Sequence, residues 1–143
     1  MSRTEITQNS SSLDGGGIYY YAPETYCGQS LSIHITGSTI ANNHSAKNGG
    51  GLYVYSEYGR FNQLSGTLTE NSADLSGGGL YIRTGDYHRS SEAFDVKYLD
   101  ISHNTAGEQG GGLYSDGMIE AMYSEFHHNE AGFEGGAIYM KNN

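Results

Sequence analysis

One pattern recurs five times in this chain of 143 residues: Asn-x-(Ser/Ala)-x-x-x-Gly-Gly-(Gly/Ala)-(Leu/Ile)-Tyr. The copies run from Asn9 to Tyr19, Asn43 to Tyr53, Asn71 to Tyr81, Asn104 to Tyr114 and Asn129 to Tyr139. An apolar residue stands three places before each Asn, namely Ile6, Ile40, Leu68, Ile101 and Phe126. A repeat of this kind restricts the fold to a stack of similar units, each contacting mainly its neighbours.

The five asparagines lie 34, 28, 33 and 25 residues apart, lengths that suit one turn of a solenoid. Gly-Gly-Gly at the centre of the unit argues against helical repeats of similar length. The 22 Gly, 13 Tyr and single Pro fit short strands joined by tight turns. The expected fold is all-β, a single parallel β-helix domain over residues 1–143 with about four to five coils. Three strands per coil are expected: Leu113–Asp116, Met118–Tyr123 and Glu125–Asn129 in the last full coil, and Leu80–Arg83, Ala93–Tyr98 and Asp100–Asn104 in the one before.

Alternation along the first strand puts Leu52 and Val54 inside and Tyr53 and Tyr55 outside. The same rule assigns Ile18, Leu80, Ile82, Leu113, Ile138 and Met140 to the core. Length variation concentrates at one corner, with insertions at Ala22–Gln29, Glu57–Arg60 and Gly85–Glu92. Insertions at one corner of a solenoid often mark its interaction face.

The net charge of −9 leaves no clustered Lys and Arg for phosphates, so no nucleic-acid partner is expected. No window is apolar enough over sufficient length to form a membrane-spanning helix, and the opening residues form no apolar leader. Cys27 is the sole cysteine and is expected to be a small buried hydrophobe. Few Lys and abundant Gly, Ser, Thr, Asn and Tyr suit an extracellular or cell-surface setting.

Phe126-His-His-Asn129 followed by Gly135-Gly-Ala-Ile138 resembles the paired Phe-x-x-Asn and Gly-Gly-Ala-(Ile/Leu/Val) motifs of the chlamydial polymorphic outer-membrane proteins. The other copies use Ile or Leu for Phe and Gly for Ala. The resemblance implies a right-handed parallel β-helix displayed at a cell surface, commonly the adhesive passenger of an autotransporter.

Four sets of residues are candidates for a functional role. Asn9, Asn43, Asn71, Asn104 and Asn129 are expected to stack as a structural ladder, their amides bonded to one another and to the turn backbone. Asn9 and Asn43 also match the glycosylation acceptor pattern, which a ladder position would make inaccessible. Tyr19, Tyr53, Tyr81, Tyr114 and Tyr139 form an expected exposed aromatic ladder, with Tyr21 and Tyr55 beside it. Stacking alone accounts for such a column, and glycan binding is the functional alternative.

Acidic residues form the third set, since aligning the repeats sets Asp95 level with Glu120 and Asp100 level with Glu125. Paired carboxylates could serve a polysaccharide hydrolase or lyase, hold calcium, or simply be solvated charges, and the last reading is preferred. The fourth set is Glu70, His103 and His128, each just before a repeated Asn, which are zinc-type ligands if they stack. Regularity of the fold explains that column without a metal, and no cofactor is expected. No Ser-His-Asp order or phosphate loop is present.

The chain opens on the last strand of a coil, Thr4 to Asn9, and closes after the first strand of another, Gly135 to Asn143. Copies joined head to tail would give an Asn-to-Asn distance close to that of the shortest internal coil. The expected role is therefore a non-enzymatic structural or adhesive module, whose partners are head-to-tail copies, adjoining coils or glycans. A carbohydrate-active enzyme is the alternative.

Overall fold

Five coils wind in parallel register in a computed structural model that describes residues 1–23, 34–56, 63–84 and 94–141. The first coil contributes β1 (Glu5–Thr7), β2 (Ser10–Ser11) and β3 (Ile18–Ala22). The second has β4 (His34–Ala41), β5 (His44–Ser45) and β6 (Leu52–Ser56), and the third β7 (Gln63–Thr69), β8 (Ser72–Ala73) and β9 (Leu80–Thr84). The fourth has β10 (Phe94–Ser102), β11 (Thr105–Ala106) and β12 (Leu113–Ser115). The fifth has β13 (Ile119–Met122), β14 (Glu125–His127), β15 (Glu130–Ala131) and β16 (Ile138–Met140).

Three parallel sheets run along the stack. A long sheet follows the order β1-β4-β7-β10-β13, with β14 also on β10; a short sheet follows β2-β5-β8-β11-β15; a tyrosine sheet follows β3-β6-β9-β12-β16. The domain is thus an all-β parallel β-helix, as the repeat predicts. The expected three strands per coil fall differently, however. The single strand β10, Phe94–Ser102, runs through both expected strands of the fourth coil, and β13 and β14, which fall within Met118–Tyr123 and Glu125–Asn129, both pair with it; Ala93 lies outside the described residues. The third sheet is instead built from the two residues that follow each repeated Asn.

Each coil turns at the repeat itself. The residue before the Asn is left-handed in every copy, with φ of 59° at Gln8, 56° at Asn42 and 55° at Glu70, His103 and His128. This bend turns the chain from the long sheet into the short one. The middle glycines of the triplets bring successive coils into contact: a Cβ on Gly78 would strike the carbonyls of Thr105 and Gly111 in the next coil. Such close approach excludes any side chain.

Inside, Ile40, Leu52, Val54, Leu68, Leu80, Ile82, Phe94, Val96, Leu99, Ile101 and Leu113 form one buried cluster. Full burial of an aliphatic side chain contributes about 1.5–3 kcal/mol, so a column of this length is the main favourable term in the fold. Ile18 and Ile138 pack against the cluster while partly exposed. Met140, expected in the core, is 50% exposed, because β16 has a strand neighbour on one side only.

The connections from the tyrosine sheet to the long sheet take residues 23–33, 57–62, 85–93 and 116–118 in successive coils, so length variation does fall at one corner. Ala22 closes β3 and is buried, and Pro23 follows it exposed; the rest of the insertions assigned to Ala22–Gln29, Glu57–Arg60 and Gly85–Glu92 lie outside the described residues, as does Cys27. No helix among the described residues is long and apolar enough to cross a membrane.

Candidate functional site: the ladders on the coil surface

The repeated asparagines connect every coil to the next. The Nδ2 groups of Asn9, Asn43, Asn71 and Asn104 donate to the Oδ1 of the following Asn at 2.9, 3.0, 3.1 and 3.0 Å. Each backbone N–H donates to the same Oδ1, at 2.9 to 3.1 Å. The second Nδ2 hydrogen of Asn43, Asn71, Asn104 and Asn129 goes back to the carbonyl of Ile6, Ile40, Leu68 and Ile101. At Asn43, Asn71 and Asn104 both amide hydrogens and both Oδ1 lone pairs are therefore used, the full capacity of an amide side chain. An amide so engaged at Asn43, buried to 1% exposure, offers nothing to a glycosylating enzyme.

A second polar column, not anticipated from the sequence, lies five residues after each Asn. Asp14 Oδ1 accepts from the backbone N–H and Nδ2 of Asn48 at 3.1 and 2.9 Å, and Asn48 Oδ1 accepts from Ser76 N–H at 3.2 Å. Gln109 Nε2 donates to Glu134 at 3.0 Å. The signal was present, since this position is polar in every copy: Asp14, Asn48, Ser76, Gln109 and Glu134.

Tyr19, Tyr53, Tyr81, Tyr114 and Tyr139 are in register on the tyrosine sheet and stack face to face, with ring centroids 5.1, 5.1, 4.5 and 5.3 Å apart. Beside them Tyr21 stacks on Tyr55 at 5.0 Å, and Arg83 lies over the Tyr55 ring at 5.9 Å. The column points outward yet is not uniformly exposed. Tyr19 is 53% exposed, whereas Tyr53 and Tyr114 are each 7% exposed, because a ring above and a ring below cover both faces. Burial also raises the phenol pKa of Tyr53, Tyr81 and Tyr114.

The acidic pairs are adjacent on the long sheet: Asp95 is level with Glu120 and Asp100 with Glu125. Their charge is partly offset. Lys97 Nζ donates to Asp95 at 2.9 Å, and His127 Nε2 lies 3.2 Å from Asp100 Oδ1. A further acid, Asp116, went unnoticed in the sequence. It is largely enclosed beside β9, accepts the Thr84 N–H at 2.6 Å and sits 3.9 Å from Arg83; desolvation raises its pKa.

Of Glu70, His103 and His128, the structure brings the two histidines together, their rings stacked at 4.8 Å. Their third neighbour is His127 rather than Glu70, and the ligand-capable nitrogens of His103, His127 and His128 all lie within 4.8 Å of one another.

No curated protein and no solved structure matches the chain. Residues 37–55, which hold the end of β4, Asn43, the Gly49-Gly-Gly51 corner and most of β6, match the Chlamydia polymorphic membrane protein repeat. The match thus covers one stretch of the second coil and is a likeness to a repeat of membrane proteins.

Proposed function

We propose that the chain is a non-enzymatic structural and adhesive segment of a surface-displayed β-helix. The carrying observation is that the polar residues of the repeat are spent on coil-to-coil bonds. At Asn43, Asn71 and Asn104 every amide hydrogen and lone pair is directed at a neighbouring coil, which leaves these side chains no free group for chemistry. What faces solvent instead is a row of carboxylates and the tyrosine column, most open at Tyr19 and Tyr21 and covered at Tyr53 and Tyr114. Aromatic columns of this kind suit flat, sequence-tolerant contact with glycans or with another protein surface.

Among the described residues β1, β2 and β3 at one end of the stack, and β15 and β16 at the other, pair on one side only. An edge strand is a template for another strand, so further coils, from this chain or a second copy, are the natural partners of both ends. Repulsion between net-negative copies implies that salt favours such stacking. Sedimentation and electron microscopy over a range of protein and salt concentrations test the assembly, and a dispersed monomer throughout counts against it. Glycan binding weakened by Tyr53→Ala or Tyr81→Ala supports adhesion. Polysaccharide turnover abolished by Asp100→Asn or Glu125→Gln would overturn the non-enzymatic reading.

A further inference from the structure

We infer that the outer corner between β14 and β15 is a transition-metal site, with His103, His127 and His128 as ligands and a divalent zinc-type ion as occupant. Adjacent residues on a strand normally face opposite sides of the sheet. Here the left-handed backbone at His128, φ 55°, turns its side chain back to the side of His127. Their Nδ1 atoms come within 2.9 Å of each other. His103 has the same backbone geometry one coil earlier, and its ring stacks on His128 at 4.8 Å and meets His127 edge-on at 5.7 Å. Three imidazoles thus converge from two coils without any loop to arrange them. Imidazole donors favour zinc and copper over calcium or magnesium.

Asp100 supplies the second, independent observation. Its Oδ1 is buried and makes no hydrogen bond, although His127 Nε2 is 3.2 Å away. A metal on Nδ1 of His127 would fix the ring proton on Nε2 and aim it at that oxygen. Metal-ligating histidines usually have such a carboxylate partner, which orients the ring and raises its basicity. Glu70 has no part in the cluster, so the site differs from the Glu-His-His column that repeat alignment suggests. With two ligands from the fifth coil and one from the fourth, the ion would clamp the coils together.

The site is tested by titrating tag-free protein with Zn2+ in a calorimeter and with Cu2+ under electron paramagnetic resonance. One equivalent of metal per chain is expected, with nitrogen hyperfine structure on the copper signal. His103→Gln and His128→Gln should each lower affinity at least about tenfold, and Asp100→Asn by about 10–100-fold. Glu70→Gln should leave it unchanged. All four side chains lie at the surface, and circular dichroism verifies that the variants remain folded. Binding that is absent, or that survives both histidine substitutions undiminished, overturns the inference.

Discussion

Asn71 gives both its backbone N–H and its Nδ2–H to a single atom, the Oδ1 of Asn104, at 3.0 and 3.1 Å. The same pair of bonds repeats from Asn9 through to Asn129, so register between coils is set by side chains as well as by the sheets.

Asn71→Ala keeps the backbone N–H bond to Asn104 but removes the Nδ2 bonds to Asn104 Oδ1 and the Ile40 carbonyl, together with the Oδ1 that accepts from the Asn43 N–H and Nδ2, leaving buried groups of both neighbours without partners. Each orphaned group costs about 1–3 kcal/mol, so a total loss of about 3–5 kcal/mol is expected. Asn9→Ala, at an exposed position with one neighbouring coil, should cost about 1 kcal/mol. Denaturant unfolding of the two variants measures the contrast.

Two glycines at equivalent positions should respond differently. A Cβ on Gly78 meets backbone carbonyls of the next coil, whereas one on Gly136 meets nothing nearer than the Asn129 carbonyl at 3.0 Å. Gly78→Ala is expected to lower the melting temperature sharply or prevent folding, and Gly136→Ala to change stability by less than about 1 kcal/mol. Thermal melts followed by circular dichroism decide it.

The fold was legible because its residues recur at fixed offsets from Asn9, Asn43, Asn71, Asn104 and Asn129. The short sheet was not, since pairs such as Ser10–Ser11 and Thr105–Ala106 are too brief to show alternation. Burial of Tyr53 and Tyr114 depends on rings one coil away, which no local pattern reveals. His127 was passed over because strand alternation sets it opposite His128, and only the left-handed bend at His128 cancels that rule. The column from Asp14 to Glu134 could have been found by the alignment that exposed the asparagines.

Alkaline pH should destabilise the stack through its tyrosines. Burial raises the pKa of Tyr53, Tyr81 and Tyr114, so above the unfolded value near 10 the unfolded chain releases protons that the folded chain keeps. Stability is retained below that pH and falls as pH rises through it. Absorbance titration should show one group of tyrosines ionising only as the protein unfolds, and Tyr81→Phe should reduce the loss.

Asp116 acts in the same direction at lower pH. Its raised pKa means that the folded chain holds a proton the unfolded chain has lost, so stability declines as pH climbs above about 4. Asp116→Asn keeps an acceptor for the Thr84 N–H and removes that decline. Its melting temperature relative to the parent should rise between acid and neutral pH.

Hydrogen exchange at the asparagine side chains tests the central claim most directly, that the repeated residues connect coils rather than contact a ligand. The Nδ2 protons of Asn43, Asn71 and Asn104 are predicted to exchange as slowly as backbone amides of the core strands β6 and β9. Exchange at the rate of free, solvated amides would contradict the account.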